Sequence, residues 1–141
     1  MRRAFTLAEV LLVLALGGIL LGVAIPQFAA VLDRIEVAAA ASHIAAAHRR
    51  ARLMAVTQGL VTVLSVDALA LTIRRRGLTA PLWSEAGPSA HRVSLEGPTR
   101  QFTFSPGGFS LGLSNATIRL TRGGATRTVI ISRLGRVRVT H

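Results

Sequence analysis

No cysteine occurs anywhere in the sequence, so disulfides and cysteine-ligated zinc are excluded and any exported domain must hold together by packing alone. Tyrosine and lysine are also absent, tryptophan occurs once, and only six residues are acidic against seventeen basic ones, all of them arginine. Three of the six acids, Glu9, Asp33 and Glu36, fall in the N-terminal 36 residues. With so few carboxylates no paired-acid site, no Ser/His/acid set and no glycine-rich phosphate loop can be assembled, and no catalytic residue is assigned. His43 and His48 are five apart and diverge on a helix, and His91 and His141 have no ligand pattern around them, so no metal or other cofactor is called. After Glu96 there is no acid at all, whereas Arg100, Arg119, Arg122, Arg127, Arg133, Arg136 and Arg138 follow. The C-terminal third is therefore a positive surface that favours anionic partners.

Apolar residues, by contrast, are abundant and front-loaded. Arg2 and Arg3 precede a run from Val10 to Leu32 without a charged side chain, roughly 35 Å of helix at about 1.5 Å per residue and enough to cross a bilayer. Basic residues before the run and no comparable cluster directly after it place the N-terminus in the cytoplasm and the remainder outside. An ordinary secretory signal has a longer basic region, a shorter apolar core and a small-residue cleavage site beyond it. Here Pro26-Gln27-Phe28 stands at that place, and Ala29 to Ala51 continues with strong helix formers.

One long helix of two characters is expected, kinked or interrupted near Pro26 and ended by Gly59. Its second half, from Asp33, is amphipathic, with Ile35, Ile44, Leu53 and Val56 among small alanines suited to lie against a sheet. From Leu60 the periodicity changes to two. Strands are expected at 60–66 and 69–73 with a tight turn at Asp67-Ala68, then at 92–95, 101–104, 117–121, 126–132 and 136–139. Residues 77–98, rich in Gly, Pro and Ser, read as the least regular part.

Met1-Arg2-Arg3-Ala4, then Phe5-Thr6-Leu7-Ala8-Glu9-Val10 and the apolar run, resemble the prepilin signal of type IV pilins and type II secretion pseudopilins. The resemblance implies cleavage by a prepilin peptidase between Ala4 and Phe5, N-methylation of Phe5, and filament assembly through Phe5, Glu9 and Pro26. Glycine is usual before the cut, and Ala4 departs from that while keeping a small residue. Glu9 also has a physical argument of its own: an unpaired carboxylate near the edge of a membrane-spanning run costs up to about 3 kcal/mol, so it needs a partner, a function, or a place in the headgroup layer. The resemblance supplies a partner, the Phe5 ammonium of a neighbouring subunit.

Further segments resemble the GspH/FimT group of minor pseudopilins: Ala51-Arg52-Leu53-Met54-Ala55 leading into Val61-Thr62-Val63-Leu64-Ser65, then Phe102-Thr103-Phe104-Ser105-Pro106-Gly107-Gly108, then Thr128-Val129-Ile130-Ile131-Ser132 before Gly135-Arg136-Val137-Arg138. The implied fold is α+β and type IV pilin-like: a leader at 1–4, a membrane-spanning and filament-core helix at 5–32, its amphipathic continuation at 33–59, and a small antiparallel β-rich head at 60–141. The implied role is a minor subunit of a type II secretion pseudopilus or type IV pilus. Its partners would be the prepilin peptidase, the bacterial inner membrane and other pilin or pseudopilin subunits, with the head in the periplasm before assembly.

A second role is attached to Gly135-Arg136-Val137-Arg138, since members of the FimT branch are associated with DNA uptake through such a segment. On a strand, Arg136 and Arg138 project together about 7 Å apart while Val137 and Val139 face the core. With Arg133 across the turn they make a candidate DNA-phosphate contact, which gives affinity without sequence reading. A solvated strand face is the plain alternative. Few aromatics are left for base stacking, so such binding is expected to be electrostatic, with duplex at least as favoured as single strand. Arg74-Arg75-Arg76 is a second basic cluster, read as a solvated loop.

Overall fold

The computed structural model describes residues 6–112 and 115–140, and divides into two compact units between Leu32 and Asp33. One helix, α1 (Leu7–Gln58), contributes to both units. It begins with a capping box: the Glu9 N–H donates to Thr6 Oγ1 at 3.3 Å, and the Thr6 N–H donates back to Glu9 Oε2 at 3.3 Å. The helix is not interrupted at Pro26. It stops after Gln58, where Gly59 takes φ +63° and the Leu60 N–H donates to the Ala55 carbonyl at 3.1 Å, closing the last turn.

In the first unit the large apolar side chains are bare. Leu7, Leu12, Leu14, Ile19, Leu20, Leu21, Ile25 and Phe28 are each at least 59% exposed. This stretch of α1 is long and apolar enough to cross a membrane, with a mean hydropathy of 2.5 and none of the window buried.

In the second unit the helix buries a stripe of Val37, Ala40, Ala41, Ile44, Ala47, His48, Ala51 and Ala55. These positions recur every three or four residues, as one helical face requires. The large residues expected on that face divide: Ile44 is fully buried, but Ile35, Leu53 and Val56 are 56%, 62% and 50% exposed. Apart from Val37, Ile44 and His48, the contact is made by alanines, whose small Cβ lets the helix backbone come close to the sheet. The Thr62 hydroxyl, fully buried, donates to the Ala51 carbonyl at 2.9 Å and fixes that approach.

Among the described residues nine strands follow: β1 (Thr62–Val66), β2 (Ala70–Arg75), β3 (Pro81–Ala86), β4 (Ser94–Glu96), β5 (Arg100–Phe104), β6 (Ser110–Leu111), β7 (Ala116–Arg122), β8 (Ala125–Ile131) and β9 (Val137–Thr140). They form two antiparallel sheets, ordered β3-β2-β1-β5-β6 and β4-β7-β8-β9. β1 and β2 join through Asp67, Ala68 and Leu69, where the Leu69 N–H donates to Asp67 Oδ1 at 3.0 Å and the Thr99 hydroxyl to Asp67 Oδ2 at 2.5 Å. The Thr99 bond first, and then the Leu69 bond, hold the exposed Asp67 carboxyl below its ordinary pKa.

The alternating strands are buried mainly on one side, with Ser65 of β1 buried on the other. Leu64, Val66, Leu71, Ile73, Phe102 and Phe104 from one sheet, and Ile118, Leu120, Val129 and Ile131 from the other, join the helix stripe in one hydrophobic cluster. β3 and β6 lie outside the strands expected from the sequence. β3 starts at a proline and lies at a sheet edge with only Trp83 partly covered, so neither of its faces carries a buried alternation to read.

Candidate functional site

The first candidate group lies at the N-terminus. Ala4 and Phe5 fall outside the described residues. Glu9 turns its carboxylate back onto Thr6 within its own chain, and Pro26 sits inside the exposed part of α1. Proline has no N–H, so the Gly22 carbonyl one turn earlier lacks its usual helical donor.

The second group is the β8–β9 hairpin. The Gly135 N–H donates to the Ser132 carbonyl at 2.9 Å and the Ser132 N–H to the Arg136 carbonyl at 2.9 Å, which closes a turn through Arg133, Leu134 and Gly135. The Arg136 N–H also donates to Ser132 Oγ at 3.2 Å, and the Arg133 N–H to Asn115 Oδ1 at 2.8 Å. The backbone of the turn is thereby fixed, leaving the arginine side chains outward: Arg133, Arg136 and Arg138 are all exposed.

Arg138 faces Ile130 across the ladder on β9, the edge strand of its sheet. Val137 packs against the core as expected, but Val139 is 45% exposed, because an edge strand is covered from one side only. Charge balance separates these arginines from their neighbours. Arg122 pairs with Asp33 at 2.9 Å and donates to the His91 carbonyl at 2.6 Å, while Arg119 reaches Glu96 at 3.9 Å. Among the described residues, no ion pair engages Arg133, Arg136 or Arg138.

Gly135 is what seats this turn. It has φ +74°, which disfavours a side chain, and a methyl group placed on it would lie 3.7 Å from Ser110 Oγ, 3.9 Å from His48 Cε1 and 4.0 Å from Arg52 Nη1. The hairpin tip therefore rests on the helix, and Arg52 joins the basic surface from α1. No sequence signal could have found this, since residues 52 and 135 are far apart in the chain.

His48 beneath the tip is 1% exposed and stacks edge-on against Phe104 at 4.9 Å and Phe102 at 5.7 Å. Its pKa is lowered to about 4, first by burial and then by the charges of Arg52 and Arg49. The site thus keeps this imidazole neutral, and positive charge at the tip resides on arginine.

Elsewhere the fold gathers side chains that the sequence holds far apart. His91 Nδ1 lies 2.7 Å from Glu36 Oε2, His43 meets His91 edge-on at 5.2 Å, and His43 Nδ1 is 3.8 Å from Glu85 Oε1. Among the described residues, no three His, Cys, Asp or Glu side chains are placed to hold a metal ion. In the Arg74–Arg76 cluster, Arg74 folds back to donate to Ser65 Oγ at 3.2 Å, and Arg75 and Arg76 are exposed.

Known proteins resemble the chain at both ends of this description. The prokaryotic N-terminal methylation motif matches residues 1–25, and the family described as type II transport protein GspH matches residues 40–135. Pilin-like protein PilA1 of Thermus thermophilus is 33% identical, over 98% of this chain and 98% of its own length. Among solved structures, the type IV minor pilin FimU of Pseudomonas aeruginosa superposes with a TM-score of 0.61 at 22% identity, covering 77% of this chain and 90% of FimU. A second crystal form of FimU gives a TM-score of 0.57 at 21% identity, over 73% and 91% of the two chains. The FimU likeness is one of fold: a long N-terminal helix packed on antiparallel sheets. The GspH match over most of the head, together with a pilin-like relative over nearly the whole length, makes the chain a member of the GspH/FimT-like family of minor pseudopilins.

Proposed function

We propose that the chain is a minor subunit of a type II secretion pseudopilus or type IV pilus, acting in protein secretion or pilus assembly. A prepilin peptidase removes the leader at 1–4 between Ala4 and Phe5, and Phe5 becomes the N-methylated first residue. Residues 5–32 first span the bacterial inner membrane with the head in the periplasm, then pack among the helices of other pilin subunits. Residues 33–59 continue the helix into the head at 60–141. The observation carrying this reading is the bare apolar surface of the helix before Asp33, where the large side chains of the described residues are exposed. Lipid and neighbouring helices are the two environments that would cover it. In the filament, Glu9 would leave its capping contact with Thr6 for the Phe5 ammonium of a neighbour, so that neither charge is buried alone.

Co-expression with an active prepilin peptidase tests the proposal. Mass spectrometry should find the mature chain beginning at methylated Phe5, and Glu9→Ala should be processed but left out of filaments. An intact Met1–Ala4 segment under those conditions would instead make the chain an unprocessed single-pass membrane protein.

A second reading is favoured by the unneutralised arginines of the β8–β9 hairpin: the head binds DNA through Arg133, Arg136 and Arg138, with Gly135 shaping the turn. The full chain in neutral detergent should then bind DNA at low salt, and Arg136→Gln with Arg138→Gln should weaken binding and flatten its salt dependence. Absence of binding even at low ionic strength would remove this reading and leave the assembly role intact.

A further inference from the structure

The hairpin arginines do not stand alone on the surface. A second turn, from Ser105 to Phe109, closes beside them: the Ser105 N–H donates to the Phe109 carbonyl at 2.9 Å, and the Phe109 N–H donates to Ser105 Oγ at 3.1 Å. Arg52 lies between the two turns. A methyl group on Gly108 would fall 3.4 Å from its Nε, and one on Gly135 would fall 4.0 Å from its Nη1. The Phe109 ring rests over Gly107, where an added methyl would meet ring carbons at 3.2 Å, yet Phe109 is 73% exposed. Leu134, at the apex of the other turn, is 89% exposed. Of the head's other phenylalanines, Phe102 and Phe104 are buried in the core.

We infer that this end of the head is a composite site for single-stranded DNA, in which Phe109 stacks a base while Arg52, Arg133 and Arg136 hold the flanking phosphates. The inference rests on the DNA-binding reading above and narrows it to one form of the ligand. Three features favour a single strand over a duplex. Arg52 lies between two turns that each carry an exposed apolar side chain, Phe109 and Leu134, an arrangement that matches a chain whose phosphates and unstacked bases are both accessible. The backbone that carries the ring is held by its turn before any ligand arrives, so the main chain need not be ordered when a base stacks on it. In a duplex the base faces are already stacked on one another, and an exposed phenyl ring beside the phosphates would gain nothing.

The test compares an oligothymidine, a duplex of equal length and heparin, each bound to the full chain in neutral-detergent micelles across a salt series. Heparin supplies polyanionic charge without bases. Phe109→Ala should weaken oligothymidine binding by about fivefold or more and leave duplex and heparin binding within about twofold; Phe109→Trp should keep it. Arg52→Gln should weaken all three ligands and shrink the salt slope for the single strand by about 0.7, the loss of one phosphate contact. Far-ultraviolet circular dichroism reports whether each variant keeps the folded head. If Phe109→Ala leaves oligothymidine binding unchanged, or Arg52→Gln leaves the slope unchanged, while Arg136→Gln with Arg138→Gln still weakens binding, the composite site is overturned and the simpler hairpin site stands. If no ligand binds at low salt, the DNA-binding reading itself falls.

Discussion

The two halves of α1 use apolar residues in opposite ways. Before Asp33 the helix carries leucine, isoleucine, valine and phenylalanine, and nearly all are exposed. From Val37 to Ala55 the buried face is mostly alanine, while the larger Leu53 and Val56 point away from the core. Size, not hydrophobicity, separates the two. A large bare side chain gains only when something outside the chain covers it, whereas a buried alanine allows backbone-to-sheet approach that a leucine would block. The first half is built for partners and the second for its own sheets.

Substitutions should expose this asymmetry. The largest effect is expected where the sheet meets the helix: Phe104→Ala, removing a fully buried ring that also stacks on His48, should cost about 3–5 kcal/mol of head stability, read from denaturant unfolding by Trp83 fluorescence. Leu14→Ala, on a residue 65% exposed, should leave the same unfolding curve unmoved. The reverse contrast uses charge. Leu20→Arg should disfavour membrane insertion by about 2.5–3.5 kcal/mol, seen as a shift from the membrane to the soluble fraction, with no change in the head's own unfolding. Next in size, Ala51→Leu should destabilise the head by about 1–3 kcal/mol through overpacking, although the change adds hydrophobic surface. A leucine tolerated at Ala51 would mean that close approach is not what the alanine stripe provides.

The same asymmetry explains what the sequence disclosed. An uncharged apolar run is legible because its residues act through composition, and the strands are legible wherever one face is buried, as at Leu64/Val66 or Ile118/Leu120. The buried face of α1 is not: size suggests Ile35, Leu53 and Val56 inward, whereas a face of alanines carries little periodic contrast. β3 escapes because an edge strand exposed on both faces has no period to show. At the candidate site, Arg133, Gly135, Arg136 and Arg138 stand out through local spacing. Arg52 and Phe109 do not, since only the tertiary fold brings residues 52, 109 and 135 to one surface.

The subtlest expected effect concerns His48, the single polar side chain in the alanine stripe. Burial among Phe102, Phe104 and the helix, with Arg52 and Arg49 beside it, lowers its pKa from 6.5 to about 4. The unfolded chain therefore takes up a proton near pH 6.5 that the folded head refuses until about pH 4. Between those values the unfolded state binds more protons, so His48 makes stability rise with pH. Its contribution is fully present above about pH 6.5 and is lost progressively as the pH falls toward about 4. Denaturant midpoints of the wild type and His48→Leu, measured from about pH 7 down to about pH 4.5, should therefore diverge in slope, the variant losing less stability on acidification even if it starts lower. Parallel curves would show that the imidazole is solvated in the folded head and that the helix face at the hairpin tip is not dry. Divergence would extend the close, water-free packing of the alanine stripe to the one position where it is not alanine or an aliphatic side chain.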